Sequence, residues 1–205
     1  MKDIPIFTST EGIATLILHE IPYRKEGYVL IRGVFGDFER LLSDCEGFCR
    51  AVGAERVYFG GEGDFSGRPV HARLIERRLD CAALPPTAAE AVPAAADAAG
   101  DWLALYRAHF AAVPAAQSCP DTEDLYFITL EGARIGLGQI RSGMLRSVAA
   151  LAPGRGADCV CALAAADGAT ELRLLCAMEN LPAMRLYDRL GFSRGEIKEV
   201  WYGAK

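Results

Sequence analysis

The sequence lacks the features that mark nucleic-acid-binding, membrane and secreted proteins. Twenty-two lysines and arginines stand against 27 aspartates and glutamates, so the net charge of -5 gives no basic excess for a nucleic-acid surface. No apolar run reaches the roughly 18 residues that span a bilayer, and the first residues contain no apolar signal segment. We therefore expect neither nucleic acid nor a membrane as a partner.

Cysteine and histidine are too few or too scattered for a disulfide scaffold or a metal site. The seven cysteines are an odd number without a Cys-x-x-Cys pair, and the three histidines lie far apart. Cys45 and Cys49 share a helical face with apolar residues, which indicates thiols in a core. Cys119 and Cys176 would be reactive only if exposed. We expect reduced thiols, no metal and a cytoplasmic location.

What the sequence does contain is enough for one ordinary domain or two small ones: 205 residues, of which 51% are hydrophobic. Residues 1–80 are predicted to form a ββαββ part, with strands in β-branched segments and a helix in an i, i+3, i+4, i+7 stripe. The strands are 13–22, 28–34, 56–59 and 70–79, and the helix is 38–52. This part carries no chemical signature. It is either a degenerate half of the same fold as the rest or an extension of its sheet.

Residues 81–100 are rich in alanine and proline, which indicates a connector and a domain boundary. From Asp101, a predicted N-cap, the patterns predict the order α-β-β-β-α-β-α-β to the end of a domain at 101–205. Gly136 and Gly138 lie inside a predicted strand, where close packing or a bulge explains them better than a nucleotide. The predicted class is α/β (α+β).

A strand, a glycine-containing loop and a helix follow one another over Met144–Gly168. The loop Pro153-Gly154-Arg155-Gly156 opens onto a helix N-terminus, whose unpaired N–H groups and dipole favour phosphate. Arg155 could add a charge-assisted contact. The segment has neither a Walker A sequence nor Gly-x-Gly-x-x-Gly, so an ordinary βα connection is the alternative.

The segment 180–192 predicts a capped amphipathic helix. Asn180 is placed to cap it, and Pro182 lies in the first turn, where its missing N–H costs little. Tyr187 shares the apolar face with Ala183, so its hydroxyl needs a partner. By periodicity Tyr187 is either a core tyrosine or a catalytic one.

Together these two segments resemble the GCN5-related N-acetyltransferase (GNAT) superfamily, whose pattern Asn-x-x-Ala-x-x-Leu-Tyr-x-x-x-Gly-Phe stands intact at 180–192. The resemblance covers about residues 100–202. It implies a mixed, mostly antiparallel central sheet flanked by helices, and acetyl-CoA (CoA) as the cofactor. It implies the pyrophosphate over the loop 153–159, the pantetheine arm on the preceding strand and against Asn180, and Tyr187 as general acid beside the CoA sulfur. The residues implied in cofactor binding are Ala149, Ala150, Leu151, Gly154, Arg155, Gly156, Ala157, Asp158, Cys159, Asn180, Ala183 and Tyr187.

The pyrophosphate loop departs from the family pattern Arg/Gln-x-x-Gly-x-Gly/Ala. Asp158 and Val160 stand where small residues are expected, and the loop after Pro153 is one residue short. Backbone donors survive such changes because any residue except proline supplies an N–H. A carboxylate beside a pyrophosphate is repulsive unless Asp158 points away or caps the helix.

A general base is also missing from the predicted strand 144–151, which offers Arg146 and Ser147 but no carboxylate. The acidic residues nearby are expected to be surface charges. They are Asp124, Glu171 and Glu179.

Two functions follow. The first is acetyl transfer from acetyl-CoA to a primary amine of a small molecule or peptide, and the alternative is a catalytically degenerate GNAT-like module that binds CoA or a protein partner. The sheet should splay between the strand ending near Leu151 and the strand Glu171–Ala177, with the cofactor in the gap. The aromatic end Trp201-Tyr202 is either a homodimer interface or part of the last strand.

Overall fold

The computed structural model describes residues 5–118 and 120–204. This part of the chain contains eleven strands and five α-helices, with 3-10 turns at Cys81–Ala83 and Ala96–Ala98. The strands are β1 Ile6–Thr8, β2 Gly12–Ile17, β3 Glu26–Val34, β4 Arg56–Gly61, β5 Val70–Asp80, β6 Glu90–Pro93, β7 Leu125–Leu130, β8 Ala133–Arg141, β9 Met144–Ala150, β10 Glu171–Ala177 and β11 Glu196–Gly203. The helices are α1 Ile21–Arg24, α2 Phe38–Ala51, α3 Ala99–Phe110, α4 Gly156–Asp167 and α5 Leu181–Leu190.

None of the helices in the described residues is both long and apolar enough to cross a lipid bilayer. The chain divides into two compact units. Within the described residues the first comprises 5–73, 114–118 and 198–204, and the second comprises 74–113 and 120–197. The division therefore falls inside β5 and inside β11.

The first unit contains a sheet with the strand order β1-β2-β3-β4-β11. β3 and β4 are parallel, joined through α2, and they pair continuously from Glu26–Arg56 to Ile31–Gly61. The inner face of α2 packs into the apolar core of the unit, and this confirms the predicted helix and its core thiols Cys45 and Cys49.

The C-terminal aromatic pair lies within the packing of the first unit. Trp201 is 4% exposed and meets Tyr28 edge-on, with the ring centroids 5.0 Å apart. Tyr202 stacks on Phe65 at 4.8 Å. These two side chains therefore lie in the last strand and pack within the first unit.

The second unit contains the strand order β5-β10-β9-β8-β7-β6, in which β9 and β10 are the parallel neighbours and the other described pairs are antiparallel. Trp102 and Tyr106 of α3 pack with Leu137 and Ala149 in one apolar cluster, and α4 and α5 contribute to another. A mixed, mostly antiparallel sheet flanked by helices is the predicted fold class, which is confirmed.

Two glycines of β8 let α4 lie directly on the sheet. A Cβ added at Gly136 would lie 2.3 Å from the Sγ of Cys159, and one at Gly138 would lie 2.4 Å from Cδ1 of Leu163. Real Cβ atoms do not approach that closely, so only glycine allows this contact. The prediction of close packing at these glycines is confirmed.

The strand beside β10 comes from far upstream in the chain. Residues 74–80 of β5 pair antiparallel with β10, from Leu74–Ala177 to Asp80–Glu171. The segment 81–100, predicted as a connector, lies inside the second unit and supplies β6, which pairs with β7. The connector prediction rested on the alanine and proline content of the segment, which gives no sign of the short strand that forms when residues 90–93 pair with β7.

The start of the chain differs from the prediction at one connection. The predicted strand 13–22 ends at Ile17, and α1 follows it with Pro22 in its first turn. Lys25 ends this helix in the left-handed conformation, with φ 58°. Farther along, α3 begins two residues before Asp101, and Ala98 takes the N-cap position.

Candidate active site

β9 and β10 meet as parallel neighbours and then separate. Arg173 pairs with Met144 and Leu174 with Leu145, and the pairing recorded in the described chain ends there, although β9 continues to Ala150 and β10 to Ala177. The predicted splay between these strands is confirmed. It leaves one edge of β9 beyond Leu145 without a neighbouring strand.

The backbone of β9 turns alternately toward β8 and toward this gap. The N–H of Leu151 donates to the carbonyl of Ile135 at 2.8 Å, so it points to the β8 side. Because alternate residues of an antiparallel strand face the same neighbour, Ala149 points to β8 as well. Of the three β9-region residues predicted to bind the cofactor, Ala149, Ala150 and Leu151, only Ala150 therefore turns its backbone toward the gap. The backbone of Val148 also faces the gap, and the sequence did not point to this residue.

The loop after β9 leads into a helix terminus without a side-chain cap. Gly154 adopts a left-handed φ of 77°, and a Cβ there would meet no atom within 4 Å. Arg155 occupies the N-cap position of α4, and no side chain caps the helix there. The N–H groups of Gly156, Ala157 and Asp158 therefore lack intrahelical partners and lie at the positive end of the dipole.

The carboxylate of Asp158 forms hydrogen bonds with two neighbouring side chains. One carboxylate oxygen accepts from the Thr87 hydroxyl at 3.0 Å, and the other accepts from the Arg155 guanidinium at 3.2 Å. The carboxylate is therefore partly neutralised. The sequence predicted that Arg155 contacts phosphate. In the structure its guanidinium is paired with Asp158, three residues later in the same turn.

Cys159 belongs to the core and not to the loop surface. Its side chain is fully buried, and its N–H donates to the carbonyl of Arg155 within the helix. Burial raises the pKa of the Cys159 thiol to about 12. This residue stabilises the contact of α4 with β8, and its N–H is not free for a ligand.

Helix α5 begins and ends as its sequence predicts. The Asn180 side-chain oxygen accepts from the N–H of Ala183 at 3.4 Å, which confirms the cap. Pro182 lies in the first turn, and Gly191 ends the helix with φ 85°. Ala183 is half-buried on the face that carries Tyr187.

Tyr187 is buried, with 7% of its surface exposed, and its ring centroid lies 5.2 Å from that of Phe192. Burial raises the pKa of the Tyr187 hydroxyl well above its usual value, the nearby Cys176 raises it further, and the Arg77 charge opposes the rise. Among the described residues, none forms a hydrogen bond with this hydroxyl. The Tyr187 hydroxyl therefore stays protonated at neutral pH and is available as a hydrogen-bond or proton donor.

Arg77 is a buried charge that the sequence argument missed. Its side chain is 2% exposed, and its guanidinium donates to the carbonyls of Ser193 at 2.6 Å and Phe192 at 3.0 Å. It also pairs with the Asp188 carboxylate at 2.6 Å. These contacts fasten the C-terminal end of α5 to β5. The alternating pattern of 70–79 gave no sign that one arginine would point inward.

The acidic side chains near the gap are paired on the surface. Glu171 lies 3.8 Å from Arg78, and Asp124 pairs with Arg141. Asp121 contacts Arg146 of β9 at 3.0 Å. The surface interpretation of Glu171 and Asp124 is confirmed.

Residues 5–118 and 120–204 contain no group of three or more His, Cys, Asp or Glu side chains that could hold a metal ion. Cys176 is buried and donates to the carbonyl of Ala177 at 3.4 Å. Cys119 lies outside the described residues.

Comparison with known protein-family models and with curated proteins finds no match to this sequence. Solved structures do match. A GCN5-related N-acetyltransferase from Kribbella flavida superposes with a TM-score of 0.56 at 17% identity, covering 98% of this chain and 90% of that protein. The fold is that of the GCN5-related N-acetyltransferases.

Other solved structures match as well. A GCN5-related N-acetyltransferase from Sphaerobacter thermophilus gives a TM-score of 0.54 at 17% identity, with 94% of this chain and 75% of that one covered. A functionally unknown conserved protein from Staphylococcus epidermidis ATCC 12228 gives 0.61 at 10% identity, with 98% and 93% covered. At these identities the similarity shows the fold alone.

Proposed function

We propose that the protein transfers an acetyl group from acetyl-CoA to a primary amine. The observation that carries this proposal is the separation of β9 from β10, which opens a gap close to two groups that can interact with a ligand. At one end lies the uncapped N-terminus of α4, and on α5 lies the free hydroxyl of Tyr187.

The residues present fit acetyl-CoA. The N–H groups at Gly156, Ala157 and Asp158 would hold the pyrophosphate, because a free helix N-terminus binds anions. The backbone of Val148 and Ala150 would pair with the amides of the pantetheine arm, as a third strand does between two separated ones. Asn180 supports this slot through the cap it gives to α5.

When bound, acetyl-CoA supplies an acetyl thioester, whose carbonyl carbon accepts the nitrogen lone pair as the C–S bond breaks. Backbone N–H groups of β9 facing the gap would stabilise the negative charge that develops on the carbonyl oxygen. Tyr187 would give its proton to the departing sulfur, and the proton lost by the nitrogen goes to water, which returns one to the tyrosine. The raised pKa of Tyr187 keeps the acid protonated over the neutral range.

The acceptor in this proposal is an amine of a small molecule or a peptide. The amine must be neutral to attack, and the described part of β9 provides no carboxylate to remove its proton. Deprotonation by water is sufficient for an amine that is partly neutral at the working pH. The free thiols in the described chain support action in a reducing compartment such as the cytoplasm.

Calorimetric titration with acetyl-CoA, followed by an assay of released CoA thiol with a panel of amines, tests this function. We expect one site per chain, because the parallel strands β3 and β4 of the first unit stay paired where β9 and β10 separate. Binding without thiol release would favour the alternative, a GNAT-like module that has lost its catalysis. No heat and no thermal shift at millimolar acetyl-CoA would contradict both the acetyl transfer and a module that binds CoA.

A further inference from the structure

β9 contains a bulge at the point where it leaves β10. Ile140 of β8 pairs with Leu145, and the next residue, Gln139, pairs with Ser147, so Arg146 is the extra residue. A bulge of one residue reverses the faces to which the following side chains point. Ser147 is therefore the first residue after both the bulge and the last pair with β10.

The reversal places Ser147 on the sheet face that carries α3. Ala149, two residues on, packs with Trp102 of α3, whereas Val148 and Ala150 pack into the cluster that contains α4. The uncapped N-terminus of α4 belongs to that second cluster. The hydroxyl of Ser147 thus lies at the apex of the gap, on the face opposite the proposed phosphate site.

This hydroxyl is buried without a hydrogen bond. Ser147 is 7% exposed, and its Oγ finds no partner among the described residues. The amide nitrogen of its cross-strand neighbour Gln139 has partners by contrast, because Nε2 donates to the carbonyls of Asp121 and Glu123 at 2.9 and 2.7 Å. A buried hydroxyl without a hydrogen-bond partner destabilises the fold. At the end of the gap between β9 and β10, a bound ligand could supply the missing partner.

We infer that the Ser147 hydroxyl binds the acceptor nitrogen. In this inference, which rests on the proposed acetyl transfer, Oγ accepts a hydrogen bond from an N–H of the amine at the apex of the gap. The bond orients the nitrogen lone pair toward the thioester on the side opposite the phosphates. It is strong because the site is shielded from water. Ser147 is an acceptor-binding residue and is assigned no proton transfer.

The test compares Ser147→Ala with Ser147→Thr, which keeps the hydroxyl. The probes are acetyl-CoA with n-butylamine, 1,4-diaminobutane or a peptide with a free N-terminus. For Ser147→Ala we expect an unliganded Tm that is unchanged or about 2–4 °C higher, since an unpartnered buried hydroxyl is removed. The calorimetric Kd for acetyl-CoA should stay within about twofold, while kcat/KM for the amine falls at least about 10-fold. Ser147→Thr should recover a large part of this loss.

The outcomes separate Ser147 from the proposed function. A Ser147→Ala variant with the parent's kcat/KM overturns the inference while leaving acetyl transfer intact. A Tm that falls by several degrees also overturns it, because the hydroxyl then had a structural partner. A parent protein that binds acetyl-CoA but releases no thiol with any of the amines overturns the transfer itself, and the role of Ser147 with it.

Discussion

At the scale of single residues, the decisive atom is the hydroxyl of Tyr187. The ring is held by Phe192 and by burial, and its hydroxyl has no hydrogen-bond partner among the described residues, so Tyr187→Phe should keep both the fold and the free energy of unfolding. If the hydroxyl protonates the departing sulfur, kcat should fall by about 10²-fold while the Kd for acetyl-CoA changes little. Thiol-release kinetics and calorimetry measure the two effects.

The matched control for Tyr187 is Tyr126→Phe, on β7 of the same unit. Its side chain is half-buried and lies outside the gap, so this variant should keep the parent's kcat. Full activity of Tyr187→Phe would make the tyrosine a packing residue. Water would then protonate the thiolate.

At the scale of the element, the property that matters is the charge at the start of α4. Asp158→Asn removes a negative charge beside the free N–H groups and releases Arg155 from its ion pair. Acetyl-CoA should bind about 2–5-fold more tightly, because charges at a helix N-terminus contribute about 0.3–1 kcal/mol. Calorimetry at low salt would measure the change.

The control for this helix is Asp101→Asn, in the first turn of α3. This substitution removes the same charge from another helix start, so it should leave the Kd for acetyl-CoA unchanged. If Asp158→Asn weakens binding, the N-terminus of α4 is not the pyrophosphate site.

At the scale of the whole molecule, the burial of several cysteine thiols predicts that the folded state loses stability at alkaline pH. Burial raises the pKa of Cys45 and Cys159 to about 12 and of Cys49 and Cys176 to about 11. The folded state keeps these protons after the unfolded state has lost them, so stability is full below about pH 9 and falls as pH rises through about 11 to 12. At pH 10 each thiol should lower the free energy of unfolding by roughly 1 kcal/mol.

Urea unfolding at pH 8 and pH 10 measures this loss. Cys176→Ala should make the loss smaller by about one thiol's share. A free energy of unfolding that is equal at both pH values would show that the thiols ionise in the folded state.

The whole molecule also decides where a fragment can be cut. A fragment of residues 101–205 lacks β5 and with it the strand that pairs with β10 and the buried Arg77 that fastens α5. We expect it to show no cooperative thermal transition by circular dichroism. A fragment of residues 74–205 keeps β5 and β6 and should unfold cooperatively. Equal behaviour of the two fragments would show that β5 is dispensable.

The sequence by itself determined the elements that local chemistry controls. Asn180, Pro182 and Gly191 fix the ends of α5 through a cap, a tolerated first-turn proline and a left-handed glycine, none of which needs a distant partner. The apolar stripe of α2 and the order of strands after residue 124 follow from periodicity in the same way.

The tertiary structure decided everything that depends on a neighbour distant in sequence. Strand patterns at 74–80 and 171–177 give no partner, because pairing is chosen by burial over the whole sheet. The bulge at Arg146, which turns Ser147 to the other face, is visible only in the register with β8. Arg77 points inward because four acceptors on α5 and the turn after it surround its guanidinium, and these acceptors meet β5 only in the folded chain.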